Sequence, residues 1–137
     1  MENKQEKFIY PHIYHEVQAM AKHDKKEKKM NKKIISYDKE NDILFIHKGF
    51  SNDEKFKGNI DAGNLVLDIS TKGRVKGIEI LNASLFLKEF DIRKKALEDL
   101  KDADFNASTK PDNIMISLLL KAKQTQKTMK IAVATVK

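Results

Sequence analysis

The sequence predicts an α+β fold: an antiparallel β-meander of hairpins with two helices packed on the sheet, plus an N-terminal helical extension. Three observations point there. Between Ile34 and Ile80, short runs of alternating apolar and polar residues are separated by turn-forming clusters, which is the pattern of half-buried hairpin strands. From Leu85 to Leu100 the apolar spacing changes to that of a helix, with Leu85, Phe86 and Phe90 followed by Ile92, Ala96, Leu97 and Leu100. Before Ile34, the run Lys22-His23-Asp24-Lys25-Lys26-Glu27-Lys28-Lys29 has no apolar face, so residues 1–29 read as an appendage and residues 30–137 as one α+β domain.

In chain order, Ile13, Val17, Met20 and Ala21 fall at i, i+4, i+7 and i+8, one stripe of a helix opened by Pro11. Ile35 and Tyr37 share a face of the first strand, and Ile43, Phe45 and His47 share a face of its partner. Lys39-Glu40-Asn41-Asp42 is the turn between them, with Asn41 suited to a left-handed backbone. Gly49–Lys55 reads as a polar loop and Phe56–Ile60 as a third strand. Leu65, Leu67 and Ile69 alternate inward, which directs Asp68 and Ser70 outward, and Lys72-Gly73 turns the chain into Arg74–Leu81. Val75, Ile78 and Ile80 break period two, so a bulge is expected at Gly77. Asn82 or Ser84 is placed to cap the following helix. Phe105–Asp112 reads as a loop, and Ile114–Lys123 with Lys127–Val136 as a closing hairpin around Gln124-Thr125-Gln126.

Composition narrows the function classes. The 137 residues suffice for one core without metal or disulfide, and the absence of cysteine excludes thiolate catalysis and zinc–thiolate sites. No apolar run approaches a membrane span and the N-terminus lacks an apolar signal region, so a cytoplasmic protein with no membrane partner is expected. The net charge of +7 is uneven: residues 1–33 sum to +4, residues 34–109 to −2 and residues 110–137 to +5. Basic ends suit a nucleic-acid partner, with Lys25, Lys26, Lys28, Lys29, Lys32 and Lys33 as candidate phosphate contacts. Lysine outnumbers arginine 25 to 2, however, and no aromatics interleave the basic run, so an ordinary solvated surface competes with that reading. The stripe of Ile13, Val17 and Met20 is the best-formed apolar surface outside the core and the candidate protein interface.

The candidate chemistry is thin. Asp38, Glu40 and Asp42 offer oxygen ligands in a tight turn, but without calcium-loop spacing. Asp68 and Glu79 resemble an acid–base pair, with Arg74 and Lys76 near enough to neutralise them. His12, His15 and Glu16 imitate a metal triplet, and His47 has no nearby Ser or Asp in sequence to form a nucleophilic array. The glycines match no phosphate-binding spacing. No cofactor, metal or catalytic residue is therefore assigned, and a non-catalytic module binding a protein partner, or itself, is expected ahead of an enzyme.

Tyr37-Asp38-Lys39-Glu40-Asn41-Asp42-Ile43-Leu44-Phe45-Ile46, then Leu67-Asp68, Gly73, Val75 and Gly77-Ile78-Glu79-Ile80-Leu81-Asn82-Ala83-Ser84, resemble domain of unknown function 2283 over about residues 32–88. The resemblance implies a small meandering sheet with one helix. It supplies no catalytic residues, and it suggests pairing with small toxin-like proteins.

Overall fold

The computed structural model describes residues 6–9, 13–16, 32–123 and 125–135. The strands are β1 (Glu6–Ile9), β2 (Ile13–Glu16), β3 (Ile34–Asp38), β4 (Ile43–His47), β5 (Phe56–Ala62), β6 (Leu65–Ser70), β7 (Val75–Ile80), β8 (Leu100–Thr109), β9 (Asn113–Ala122) and β10 (Gln126–Ala134). Between β7 and β8 lie α1 (Ala83–Phe86), a 3-10 turn (Leu87–Phe90) and α2 (Lys94–Glu98). Six strands form one sheet in the order β2-β5-β6-β7-β4-β3, and four form a second in the order β1-β10-β9-β8. All pairs are antiparallel except β1 with β10.

Period-two alternation explains the layering. Leu44, Ile46, Leu65, Leu67, Ile78 and Ile80 of the first sheet bury against one core that also takes Phe105, Ile116, Leu118, Ile131 and Val133 of the second. Phe86, Leu87, Phe90, Ile92 and Leu97 add the helical segments to that core. The edges β3 and β8 are tied by side chains: Lys33 Nζ lies 3.1 Å from Asp102 Oδ1 and 3.9 Å from Asp104 Oδ2. Lys48 Nζ reaches Asn106 Oδ1 at 3.4 Å and sits 4.9 Å from the centre of the Phe105 ring.

Both internal hairpins and the closing hairpin occur as the alternation predicts. The bulge is present as well. Ile69 pairs with Val75 and Asp68 with Gly77, which leaves Lys76 as the extra residue and buries Val75, Ile78 and Ile80 together.

Four expectations are corrected. Ile13–Glu16 is a strand paired with β5 rather than the first turn of a helix; Val17, Met20 and Ala21 lie outside the described residues. Residues 105–109, expected as loop, continue β8: Ala103, Phe105 and Ala107 face inward, and two small alanines among polar neighbours give a weak apolar signal. The run Ile92–Leu100 holds only a five-residue helix, because Leu100 is already paired with Ala122. In the first turn Asp42, not Asn41, takes the left-handed backbone, at φ 56°.

Candidate functional site

The four buried polar or charged residues among those described are His47, Asp68 and Ser70 on the outer face of the six-stranded sheet and Glu54 in the loop 48–55, which meets His47 and Ser70. Strand register creates the arrangement. Asn59, Asp68, Gly77 and His47 stand opposite one another across β5, β6, β7 and β4. Asn59 Nδ2 donates to Asp68 Oδ1 at 2.6 Å. A Cβ on Gly77 would lie 2.6 Å from His47 Cδ2 and 2.8 Å from Asp68 Oδ2, so the bare backbone there is what lets His47 and Asp68 close over the strand. His47 Nδ1 accepts the Gly49 N–H at 2.8 Å, which puts the proton of the neutral ring on Nε2. Phe50 packs edge-on against the same ring, with centroids 4.8 Å apart.

Glu54 anchors the loop. Ser51 and Glu54 stand at the S-x-x-E spacing of a capping box, and the Ser51 N–H donates to Glu54 Oε1 at 3.0 Å. Lys76 Nζ lies 3.1 Å from Oε1 and Arg74 Nη2 3.2 Å from Oε2. Burial pushes the Glu54 carboxyl up, but hydrogen bonds from Ser51 and Ser70 and the Lys76 ammonium outweigh it and hold the group at about 2. Lys72 pairs with Asp53 at the rim of the loop.

A second polar junction sits at the other end of the β3–β4 hairpin. Asp42 accepts the Ser84 N–H at 3.0 Å and the Ser84 hydroxyl at 2.7 Å, while the Tyr37 hydroxyl donates to it at 2.6 Å. Burial and the Asp42 carboxylate raise the Tyr37 pKa. Burial opposes ionisation of Asp42, and the bonds from Tyr37 and Ser84 overcome it, leaving its pKa lowered.

The sequence-based candidates separate accordingly. Asp38, Glu40 and Asp42 do not converge: Asp38 accepts from the Glu40 and Asn41 N–H groups and from Asn41 Nδ2, while Asp42 turns to the helix. Arg74 and Lys76 serve Glu54 rather than Asp68 and Glu79. Asp68 and Ser70 do point away from the core, yet both are buried, and Ser70 lies against Glu54 of the loop, which it bonds. Asn82 occupies the N-cap position in a left-handed conformation with no side-chain bond, and Asp42 supplies the cap from 42 residues away. Lys33 is committed to Asp102 and Asp104, and Lys32 is exposed. Lys25, Lys26, Lys28 and Lys29 lie outside the described residues, as do Val17, Met20 and His12. Among the described residues no group of three metal-ligating side chains converges. No helix among them is long and apolar enough to cross a membrane. Glu54 stands in a stretch that reads as a polar loop, and its one local signal is the spacing from Ser51.

The hairpins, the bulge beside Gly77 and the helix entry at Asn82-Ala83-Ser84 are the features that define the central segment. Residues 34–84 match the family "Protein of unknown function (DUF2283)". The matched segment runs from β3 to the first residues of α1 and includes His47, Glu54 and Asp68. Over 91 residues the chain is 28% identical to a Methanosarcina mazei protein named "Putative hypoxanthine phosphoribosyltransferase", covering 66% of this chain and 69% of that one. No solved structure matches.

Proposed function

We propose that this protein is a non-catalytic interaction module whose partner is another protein, a second copy of itself included. The observation that supports this most is the fate of its buried polar groups. Glu54 is fully covered, ionised and held by Ser51, Ser70, Arg74 and Lys76, so it neither meets a substrate nor carries a proton at neutral pH. These residues pin a loop to a sheet. The two ends of the six-stranded sheet also differ. β3 is bridged to β8 through Lys33, whereas β2, which carries Ile13, is the outermost strand at the other end. An outermost strand of this kind takes an added strand from a partner.

The test is sedimentation velocity on the intact chain and on an Ile13→Asp/Val17→Asp variant. Self-association or partner binding present in the parent and lost in the variant is expected. An inert monomer that captures no partner, with or without the changes, would overturn the reading. The transferase activity named for the Methanosarcina mazei relative is checked on the same sample: conversion of hypoxanthine with a phosphoribosyl donor would replace this reading with an enzymatic one.

A nucleic-acid reading is favoured by the +5 surplus over residues 110–137. Lysine contacts to phosphate would give weak, sequence-indifferent and strongly salt-dependent affinity. Reversing Lys25, Lys26, Lys28 and Lys29 to Glu would then abolish retention of an oligonucleotide in a filter-binding assay, and retention unaffected by the change would eliminate that role.

A further inference from the structure

Two lysines in this protein are equally withdrawn from solvent, each with a side chain 15% exposed, and their surroundings differ sharply. Lys76 meets the fully covered Glu54 carboxylate at 3.1 Å. Lys127 meets Asp91 at 3.8 Å, and Asp91 is itself 75% exposed. An ammonium taken out of water needs a close, desolvated counter-charge, which Lys76 has and Lys127 lacks. Lys127 lines a cleft of about 600 Å³ between α2 and the β9–β10 turn. That volume falls within the range of small-molecule sites.

The lining of the cleft is chemically ordered. Ala96, Ala122 and Thr125 provide small side chains, and four cations (Arg93, Lys95, Lys123 and Lys127) face two acids (Asp91 and Asp99). Lys95 is held only loosely by Asp99, at 3.9 Å on an exposed helix turn. Arg93 and Lys123 are exposed and take part in no ion pair among the described residues. A cleft with two surplus positive charges, an underpaired ammonium and an arginine fork matches an oxyanion carrying two negative charges.

We propose that the cleft between α2 and the β9–β10 turn binds a small phosphorylated ligand, with Lys127 as its inner contact and Arg93 and Lys123 at the mouth. The ligand's phosphate completes the counter-charge that Asp91 supplies from too far away. The site is distinct from the Glu54 cluster and does not depend on the interaction reading.

The experiment is an amide-resolved NMR titration of the intact chain with inorganic phosphate, adenosine monophosphate and an oligothymidylate. Saturable shifts at residues 91–99 and 122–127 with the monophosphate are expected. Arg93→Gln/Lys123→Gln, whose side chains are exposed and in no ion pair among the described residues, should weaken binding about tenfold or more. Lys57→Gln on β5 should leave binding unchanged, and Ala96→Leu should block it by filling the cleft. Without ligand, Lys127→Met should raise the melting temperature, whereas Lys76→Met should lower it by stranding Glu54. Overturning results are the absence of saturable shifts, equal weakening by Lys57→Gln, or shifts with oligothymidylate and none with the monophosphate; the last would favour the nucleic-acid reading instead.

Discussion

Gly77 shows how much one missing side chain can organise. Its backbone is not left-handed, so the demand for glycine comes from space: His47 and Asp68 occupy the position a Cβ would take. Gly77→Ala is therefore expected to destabilise by about 1–3 kcal/mol, as overpacking a tight interior does, and Gly77→Val by more. Urea denaturation measures both, and an unchanged midpoint would mean that the neighbours yield freely. Glu54 gives the pH dependence. Its folded-state pKa of about 2 lies below the ordinary value of 4.5, so the unfolded chain binds the proton more tightly. The stabilisation is therefore present above about pH 4.5 and is lost as pH falls toward 2, with about 3 kcal/mol at stake. Glu54→Gln should flatten that acid limb when urea midpoints are compared between pH 7 and pH 3.

At the scale of elements, α1 has no cap of its own. Asp42 reaches it from the β3–β4 turn, so the hairpin and the helix stabilise each other. Asp42→Ala removes the bonds to Ser84 and Tyr37 and should cost about 1–3 kcal/mol, read as a lower thermal midpoint. Asp42→Asn keeps the shape and should cost less. Strand β8 carries its own protection. Asp102 and Asp104 each accept the N–H of the following residue, at 2.9 and 2.8 Å, and Lys33 bridges the two carboxylates. These contacts engage edge groups that would otherwise be open to another strand. Asp102→Ala/Asp104→Ala should increase concentration-dependent self-association in light scattering, and a variant as monodisperse as the parent would remove this role from the two aspartates.

At the scale of the whole molecule, one core serves both sheets, and the N-terminal segment adds an outermost strand to each of them through β1 and β2. Among the residues whose burial is described, those of that core lie between Leu44 and Val133, which motivates the proposal that residues 30–137 fold alone. A chain beginning at Met30 is expected to melt cooperatively, at a lower temperature than the full chain, because the β5 and β10 edges lose their partners. Circular dichroism showing an unfolded chain would place the N-terminal strands inside the folding unit.

Local pattern alone determined the three hairpins, the bulge beside Gly77 and the inward sets of β6, β7, β9 and β10, because period-two alternation and turn chemistry act over a few residues. On β4 it singled out the face of Ile43, Phe45 and His47, whereas Leu44 and Ile46 enter the core. It misjudged β8, whose inward alanines carry little hydrophobic contrast, and Ile13–Glu16, whose pairing with β5 depends on a partner more than forty residues away. Tertiary structure decided everything that depends on what lies above a face. Asp68 and Ser70 point outward as alternation requires, yet both are buried, Ser70 beneath the Glu54 carboxylate that it bonds. The cap on α1, the counter-charges of Lys76 and the cleft around Lys127 likewise arise between segments distant in sequence, where spacing along the chain carries no information about distance in space.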